Sequence, residues 1–181
     1  MNCDGFSSQE SPAISNSTEN DDSHLSRFVI LWHAIPPGSQ WFDASGRTSH
    51  FDLMFEDSEH LITFELPKLP IPGERIPICR LNDHRRHYLD YEGALDPGPN
   101  SEDRGHVTRW TAGKYQFYRW TEQKLIVELT SPKLSARIAL LPGDIKQGGI
   151  ETQSTRWPGA VRWELRAPRW DLKQTTNQAM Y

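Results

Sequence analysis

Apolar and polar residues alternate along Ser49–Glu56, where Phe51, Leu53 and Phe55 are interleaved with His50, Asp52, Met54 and Glu56. A two-residue period is that of a half-buried β-strand with one face toward a core. Arg27–His33 follows another pattern. Phe28 to Trp32 is a continuous apolar run, as expected of a central strand, and it ends on a histidine. His60–Leu66 is the expected hairpin partner of the 49–56 strand across a turn at Asp57-Ser58. Arg75–Leu81 predicts another strand, placed at a sheet edge by Pro77, which lacks a backbone donor. Short strands are predicted over His106–Trp110, Tyr115–Trp120, Lys124–Leu129, Leu134–Leu141 and Val161–Arg166.

Breakers separate these runs. Ala34–Thr48 contains Pro-Pro-Gly and Ser-Gly, Pro67–Gly73 contains three prolines, and residues 143–149 are rich in glycine. Residues 83–93 and 96–105 read mostly as loop. No segment keeps a 3.6-residue period, and neither an internal repeat nor a phosphate-binding glycine loop is present. Close-spaced short strands predict an all-β fold, a small closed or partly closed β-barrel of about eight strands with long loops and disordered termini. The expected organisation is a disordered acidic tail over residues 1–26, a barrel domain over 27–167, and a polar C-terminal tail over 168–181.

Composition refines this picture. With 181 residues the chain has room for one domain with a proper core. A mean hydropathy of -0.69 is low for a compact domain, which fits polar segments outside the fold. Residues 1–26 carry five acids and no Lys or Arg, so the remainder holds 20 basic against 19 acidic residues. The body is therefore near neutral, which excludes a globally basic nucleic-acid binder; a local patch drawn from Arg80, Arg85, Arg86, Arg104 and Arg109 is still open. No apolar run approaches the roughly 20 residues of a membrane span, so no membrane partner is expected. No secretion signal is visible. Cys3 and Cys79 suggest neither a disulfide framework nor a thiolate metal site, and a cytoplasmic setting is the default.

The chemistry starts from the 49–56 strand. Residues two apart share a face, so His50 and Asp52 project together while the aromatics enter the core. An imidazole beside a carboxylate is the beginning of a divalent metal site, and His33 and His84 are placed to converge on it. The same pair also reads as an ordinary hydrogen-bonded surface couple. With His84 as third member it matches the 2-His-1-carboxylate pattern of non-haem iron oxygenases. Glu56 shares the His50 face and could orient a ligand. Trp41, Trp110 and Trp120 could stack on bases or pack the barrel.

Several motifs together resemble one family. Arg27-Phe28-Val29 running to His33, followed by His50-Phe51-Asp52, resembles the opening signature of the 3'-phosphoesterase domain of bacterial DNA ligase D. Asp83-His84-Arg85-Arg86-His87-Tyr88-Leu89-Asp90-Tyr91-Glu92-Gly93 resembles its second motif without a gap. Gly105-His106-Val107-Thr108-Arg109-Trp110, Lys133–Arg137 and Trp163–Arg166 are similar to its later strands. The resemblance spans residues 27–166, in the family's order, with no room for the polymerase and ligase modules of ligase D. A stand-alone relative is expected.

The resemblance implies a small β-barrel that binds Mn²⁺, or another divalent transition metal such as Zn²⁺, and trims nucleic-acid 3' ends. It implies removal of a 3'-ribonucleoside and then of the 3'-phosphate to leave a 3'-hydroxyl. His33, His50 and Asp52 fall on its metal-ligand positions, expected to grip one cation at the mouth of the barrel. His84 and Tyr88 fall on positions that contact the reacting phosphate, and Lys68 on that of a phosphate-contacting lysine. The expected partners are DNA or RNA–DNA 3' ends and a separate ligase or polymerase of non-homologous end joining. One departure bears on chemistry: Met54 stands where the family has arginine, and a thioether cannot donate a charged fork to phosphate. Arg80, Arg85 and Arg86 are the expected replacements. The alternative is a catalytically weak relative that binds DNA ends or a repair partner.

Overall fold

The computed structural model describes residues 26–38, 48–97, 103–121, 123–143 and 161–173. Ten strands follow one another: β1 (Ser26–Ala34), β2 (His50–Asp57), β3 (His60–Leu66), β4 (Arg75–Arg80), β5 (His84–Arg85), β6 (Gly93–Ala94), β7 (His106–Thr121), β8 (Lys124–Thr130), β9 (Leu134–Pro142) and β10 (Val161–Leu172). Eight of them run in the order β1-β2-β3-β4-β10-β9-β8-β7, and β7 pairs back onto β1, closing an antiparallel barrel. Closure removes the exposed edges that an open sheet of this size would present. The two short strands are additions: β5 pairs with β3 and β6 with β7. A 3-10 turn at Arg86–Leu89 lies between them. Among the described residues no helix is long and apolar enough to cross a membrane.

Alternation sorts the side chains of β1 and β2 into two cores. Phe28, Ile30, Leu53 and Phe55 join Phe64, Val127, Ile138 and Leu165 inside the barrel. Val29, Leu31 and Met54 point the other way and pack with Leu61, Leu89 and Val107, flanked by Tyr88 and Tyr91. The continuous apolar run of β1 is thus explained. It is covered on both faces, by the barrel interior and by the segment from His84 to Leu95 laid over the outside. Polar contacts fasten that segment. Arg86 pairs with Glu56, and the Arg27 guanidinium donates to Asp90.

Three strand expectations change in the structure. The stretches at 106–110 and 115–120 form one 16-residue strand, because Thr111–Lys114 continues the pairing with β1 instead of turning. Gly113 permits this: a Cβ there would lie 2.1 Å from the Thr130 carbonyl oxygen. Strand β4 is an edge only in part. It pairs with β10 along its whole length, but with β3 only through Cys79 and Arg80, so the part around Pro77 has a single neighbour. Strand β10 runs to Leu172, past the expected start of a C-terminal tail at 168. A register irregularity between Arg166 and Arg169 accommodates Pro168, and beyond it Trp170 is buried in the barrel core. Residues 1–25 and 174–181, where the tails were expected, lie outside the described residues, as does Trp41.

Candidate metal centre

His33 near the end of β1 and His50 at the start of β2 are cross-strand partners, and Leu31 stands opposite Asp52. Parity with Leu31 and with Met54 puts all three polar side chains on the outer face of the barrel, beside the second core. This corrects the expected location at the barrel mouth. The even positions of β2 face outward because Phe51, Leu53 and Phe55 have taken the interior. The overlying segment then buries what would otherwise be a surface: His33, His50 and Asp52 are 4%, 2% and 5% exposed.

One donor atom from each of the three lies within 4.8 Å of the others. His33 Nδ1 is 3.9 Å from Asp52 Oδ2, and His50 Nε2 is 3.6 Å from Asp52 Oδ1. The opposite nitrogen of each ring meets a backbone carbonyl: His33 Nε2 lies 2.7 Å from the Arg104 oxygen, and His50 Nδ1 lies 2.7 Å from the Thr48 oxygen. A carbonyl can only accept, so those nitrogens carry the protons. The other ring nitrogens, His33 Nδ1 and His50 Nε2, face Asp52. Such carbonyl anchors fix the tautomer and orientation of metal-binding histidines. Asp52 Oδ1 is buried and has no hydrogen-bond donor. A buried carboxylate oxygen in that condition is costly unless a cation faces it. Two imidazole nitrogens and a carboxylate form the mixed set that suits a divalent transition metal.

These residues form one wall of a cleft of about 360 Å³, its open mouth included. The same cleft is lined by His84, Tyr88, Arg104, Met54 and Leu95. His84 repeats the carbonyl anchoring, with Nδ1 2.8 Å from the Asn82 oxygen, which leaves Nε2 for the cleft. Tyr88 lies 5.7 Å from the His84 ring, centroid to centroid. It belongs to the outer layer and not to barrel packing, and burial pushes its hydroxyl pKa up, so it stays a neutral O–H donor. His84 is not in the tight metal group; His33 takes the third place that the oxygenase pattern gave to His84.

The four residues expected on phosphate do not line the cleft. Lys68 pairs with Glu74 on the β3–β4 connection. Arg80 pairs with Asp83, its guanidinium 5.5 Å from the centre of the Phe64 ring. Arg86 is bound to Glu56, and Arg85 is exposed on β5. Their strand positions turn them away, or nearby carboxylates hold them. Glu56 accordingly fastens the covering segment and does not orient a metal ligand. Burial raises its pKa, but the Arg27 N–H and the Arg86 guanidinium outweigh that and hold it below the ordinary carboxylate range. Arg104 lines the cleft, and its charge and that of Arg85 both act on the Tyr88 hydroxyl. Sequence reasoning placed it only in a general basic patch, since nothing local marks a loop arginine as facing a particular strand. Trp110 packs on the barrel core and stacks on Trp170, while Trp120 lies half exposed against Phe117.

A second carboxylate was also missed. Glu65 on β3 stands directly opposite Asp52, is 6% exposed, and has Oε2 4.0 Å from His50 Nε2. An acid between Phe64 and Leu66 in an otherwise apolar strand was the available signal, since a buried carboxylate requires a partner.

The family model for the DNA ligase D 3'-phosphoesterase domain matches residues 43–141. That span includes His50, Asp52, His84, Tyr88 and Arg104, while His33 precedes it. A search of curated proteins found no match. With more than half of its length matched, and a closed barrel carrying a His-His-Asp group, the chain belongs to the DNA ligase D 3'-phosphoesterase domain family.

Proposed function

We propose that this protein is a metal-dependent 3'-phosphoesterase acting on nucleic-acid ends, with His33, His50 and Asp52 holding the divalent ion. Support comes from one observation above all: the His-His-Asp group, His84, Tyr88 and Arg104 face a single cleft, though they come from four separate stretches of chain. A divalent ion bound there would neutralise non-bridging phosphate oxygens and lower the pKa of a water. Mn²⁺ suits the mixed nitrogen and oxygen donors, and Zn²⁺ is the other ion this set would accept.

The protein's own groups do the rest. Arg104 and the Tyr88 hydroxyl, in the same cleft, hydrogen-bond the phosphate and hold it in register. His84 Nε2, its partner nitrogen fixed on the Asn82 carbonyl, gives a proton to the departing oxygen. Leu95 and Met54 limit water on the remaining walls. The substrates are DNA or RNA–DNA 3' ends carrying a ribonucleoside or a phosphate, and a separate ligase or polymerase of end joining would use the 3'-hydroxyl produced. We place this activity in the cytoplasm.

The test is incubation with Mn²⁺ and primers ending in a 3'-phosphate or a single ribonucleotide. The expected result is release of inorganic phosphate or nucleoside, abolished by EDTA and by His50→Ala and strongly reduced by His84→Ala. Met54, on the cleft wall where the family has arginine, favours one other reading: end binding without turnover. Primer binding that persists in EDTA, with no product formed, would replace the enzymatic reading with that one.

A further inference from the structure

The tight His-His-Asp group accounts for three donors, but a fourth acid stands beside it. Asp52 and Glu65 face each other across the β2–β3 ladder, both almost fully buried. Like charges directly opposite on one sheet face repel, and burial strengthens that repulsion. Two acids in this register are tolerated when a cation lies between or beside them.

Two distances from His50 bear on a shared ion. His50 Nε2 is 3.6 Å from Asp52 Oδ1 and 4.0 Å from Glu65 Oε2. Two ligands that each bond a metal at about 2.1 Å can be no farther apart than roughly 4.2 Å. Each carboxylate is therefore near enough to His50 Nε2 to share an ion with it, although Glu65 lies outside the tight group of His33, His50 and Asp52. The backbone adds direction, because β3 presents Glu65 from the side of β2 away from His33, so the ion would be approached from both neighbouring strands.

We propose that Glu65 is a fourth donor, which makes the centre a set of two imidazoles and two carboxylates; the proposal rests on the metal reading above. With two carboxylates the ion's charge is balanced by the protein itself. Less of it is left to attract phosphate, and the anion depends more on Arg104.

Isothermal titration with Mn²⁺ on the full chain, joined by Mn²⁺ electron paramagnetic resonance, tests this without any turnover. Glu65→Gln keeps the shape and removes the charge. It should weaken Mn²⁺ binding about 10- to 100-fold, in the range lost when groups supporting a metal site are removed. Metal-free Glu65→Gln should keep the parent's circular dichroism, so that the weaker binding reports the lost carboxylate and not unfolding. Glu65→Asp keeps a carboxylate and should bind more tightly than Glu65→Gln. Parent-like Mn²⁺ affinity and spectrum in Glu65→Gln would overturn the assignment while leaving the three-residue site intact. A parent protein that binds neither Mn²⁺ nor Zn²⁺ would overturn the metal reading as well.

Discussion

His33 and His50 occupy one rung of the β1–β2 ladder, their ring centroids 4.8 Å apart and their planes at 69°. Each ring is pinned by a carbonyl on its far nitrogen, so the near nitrogens are held ready before any ion arrives. Metal should therefore add stability and cause little rearrangement. At a Mn²⁺ concentration 100 times Kd the gain is about 2.7 kcal/mol, visible as a rise in melting temperature. Asp52→Asn should remove that rise while leaving the metal-free protein folded, since it replaces a buried charge with a neutral group of the same shape. Differential scanning calorimetry with and without Mn²⁺ measures both.

Gly105 follows the carbonyl that anchors His33. It has φ +80°, and a Cβ there would lie 1.9 Å from the Ala34 carbonyl oxygen. Gly105→Ala must displace the 103–106 backbone and with it the Arg104 carbonyl. The expected result is a lower Mn²⁺ affinity although every ligand is intact, together with a destabilisation of about 1–3 kcal/mol. Titration calorimetry and chemical denaturation of the same variant read the two effects separately.

Leu89 is the apolar peg of the covering segment, buried among Val29, Leu31, Met54 and Leu61. Leu89→Ala should cost about 2–4 kcal/mol through the cavity it leaves. Because His84 and Tyr88 ride on the same segment, amide exchange over residues 84–95 should accelerate more than in the barrel strands. Equal acceleration in β8 and β9 would mean that the segment and barrel open as one unit.

Arg104 and Met54 both line the cleft. Arg104→Gln should lower kcat/KM on a 3'-phosphate primer by roughly 10- to 100-fold, as expected for losing a charged donor to phosphate. Adding Met54→Arg to that variant should recover part of the loss, since the new guanidinium would emerge into the same cleft. Unchanged kcat/KM in Arg104→Gln would show that phosphate is held by other groups.

The Tyr115 hydroxyl donates to the Glu56 carbonyl at 2.6 Å, and burial pushes its pKa up to about 12. The folded state therefore keeps the phenol protonated where the unfolded chain, titrating near 10, has begun to lose its proton. This contribution is fully present below pH 10 and is lost as pH rises from 10 toward 12. Tyr115→Phe should flatten the alkaline limb of the stability curve. It should also cost about 1 kcal/mol at neutral pH by removing the donor to that carbonyl. Denaturation midpoints between pH 7 and 12 test both parts.

Much of the barrel was legible because period and breakers are local. The bounds of β2, β3, β8 and β9 follow within a residue or so from alternation and from the turns beside them. The misreadings share one cause. The break expected between 110 and 115 and the tail expected from 168 are both strand, because a partner strand continues the pairing, while the Pro77 part of β4 has the single neighbour of an edge. The same holds in the site: His33, His50, Asp52, His84 and Tyr88 were all picked out, and the structure brings all five to one cleft. Three of the expected phosphate contacts are paired with carboxylates, Lys68 with Glu74, Arg80 with Asp83 and Arg86 with Glu56, because a long side chain follows the nearest opposite charge.

By itself, the chain's pattern determined that β2 has an apolar face and a chemical face, since alternation is a property of consecutive residues. Which side of the barrel that chemical face would occupy was decided only by closure. Once Phe51, Leu53 and Phe55 filled the interior, His50 and Asp52 had to face outward, and the segment carrying His84, Tyr88 and Leu89 covered them. The β2–β3 hairpin set Glu65 opposite Asp52, and closure brought the loop bearing Arg104 to His33, 71 residues away. Register and burial are relations between distant stretches of chain. No local period encodes burial or contact between distant strands, so the depth at which the acid pair lies and the approach of Arg104 to the cleft became visible only in the folded barrel.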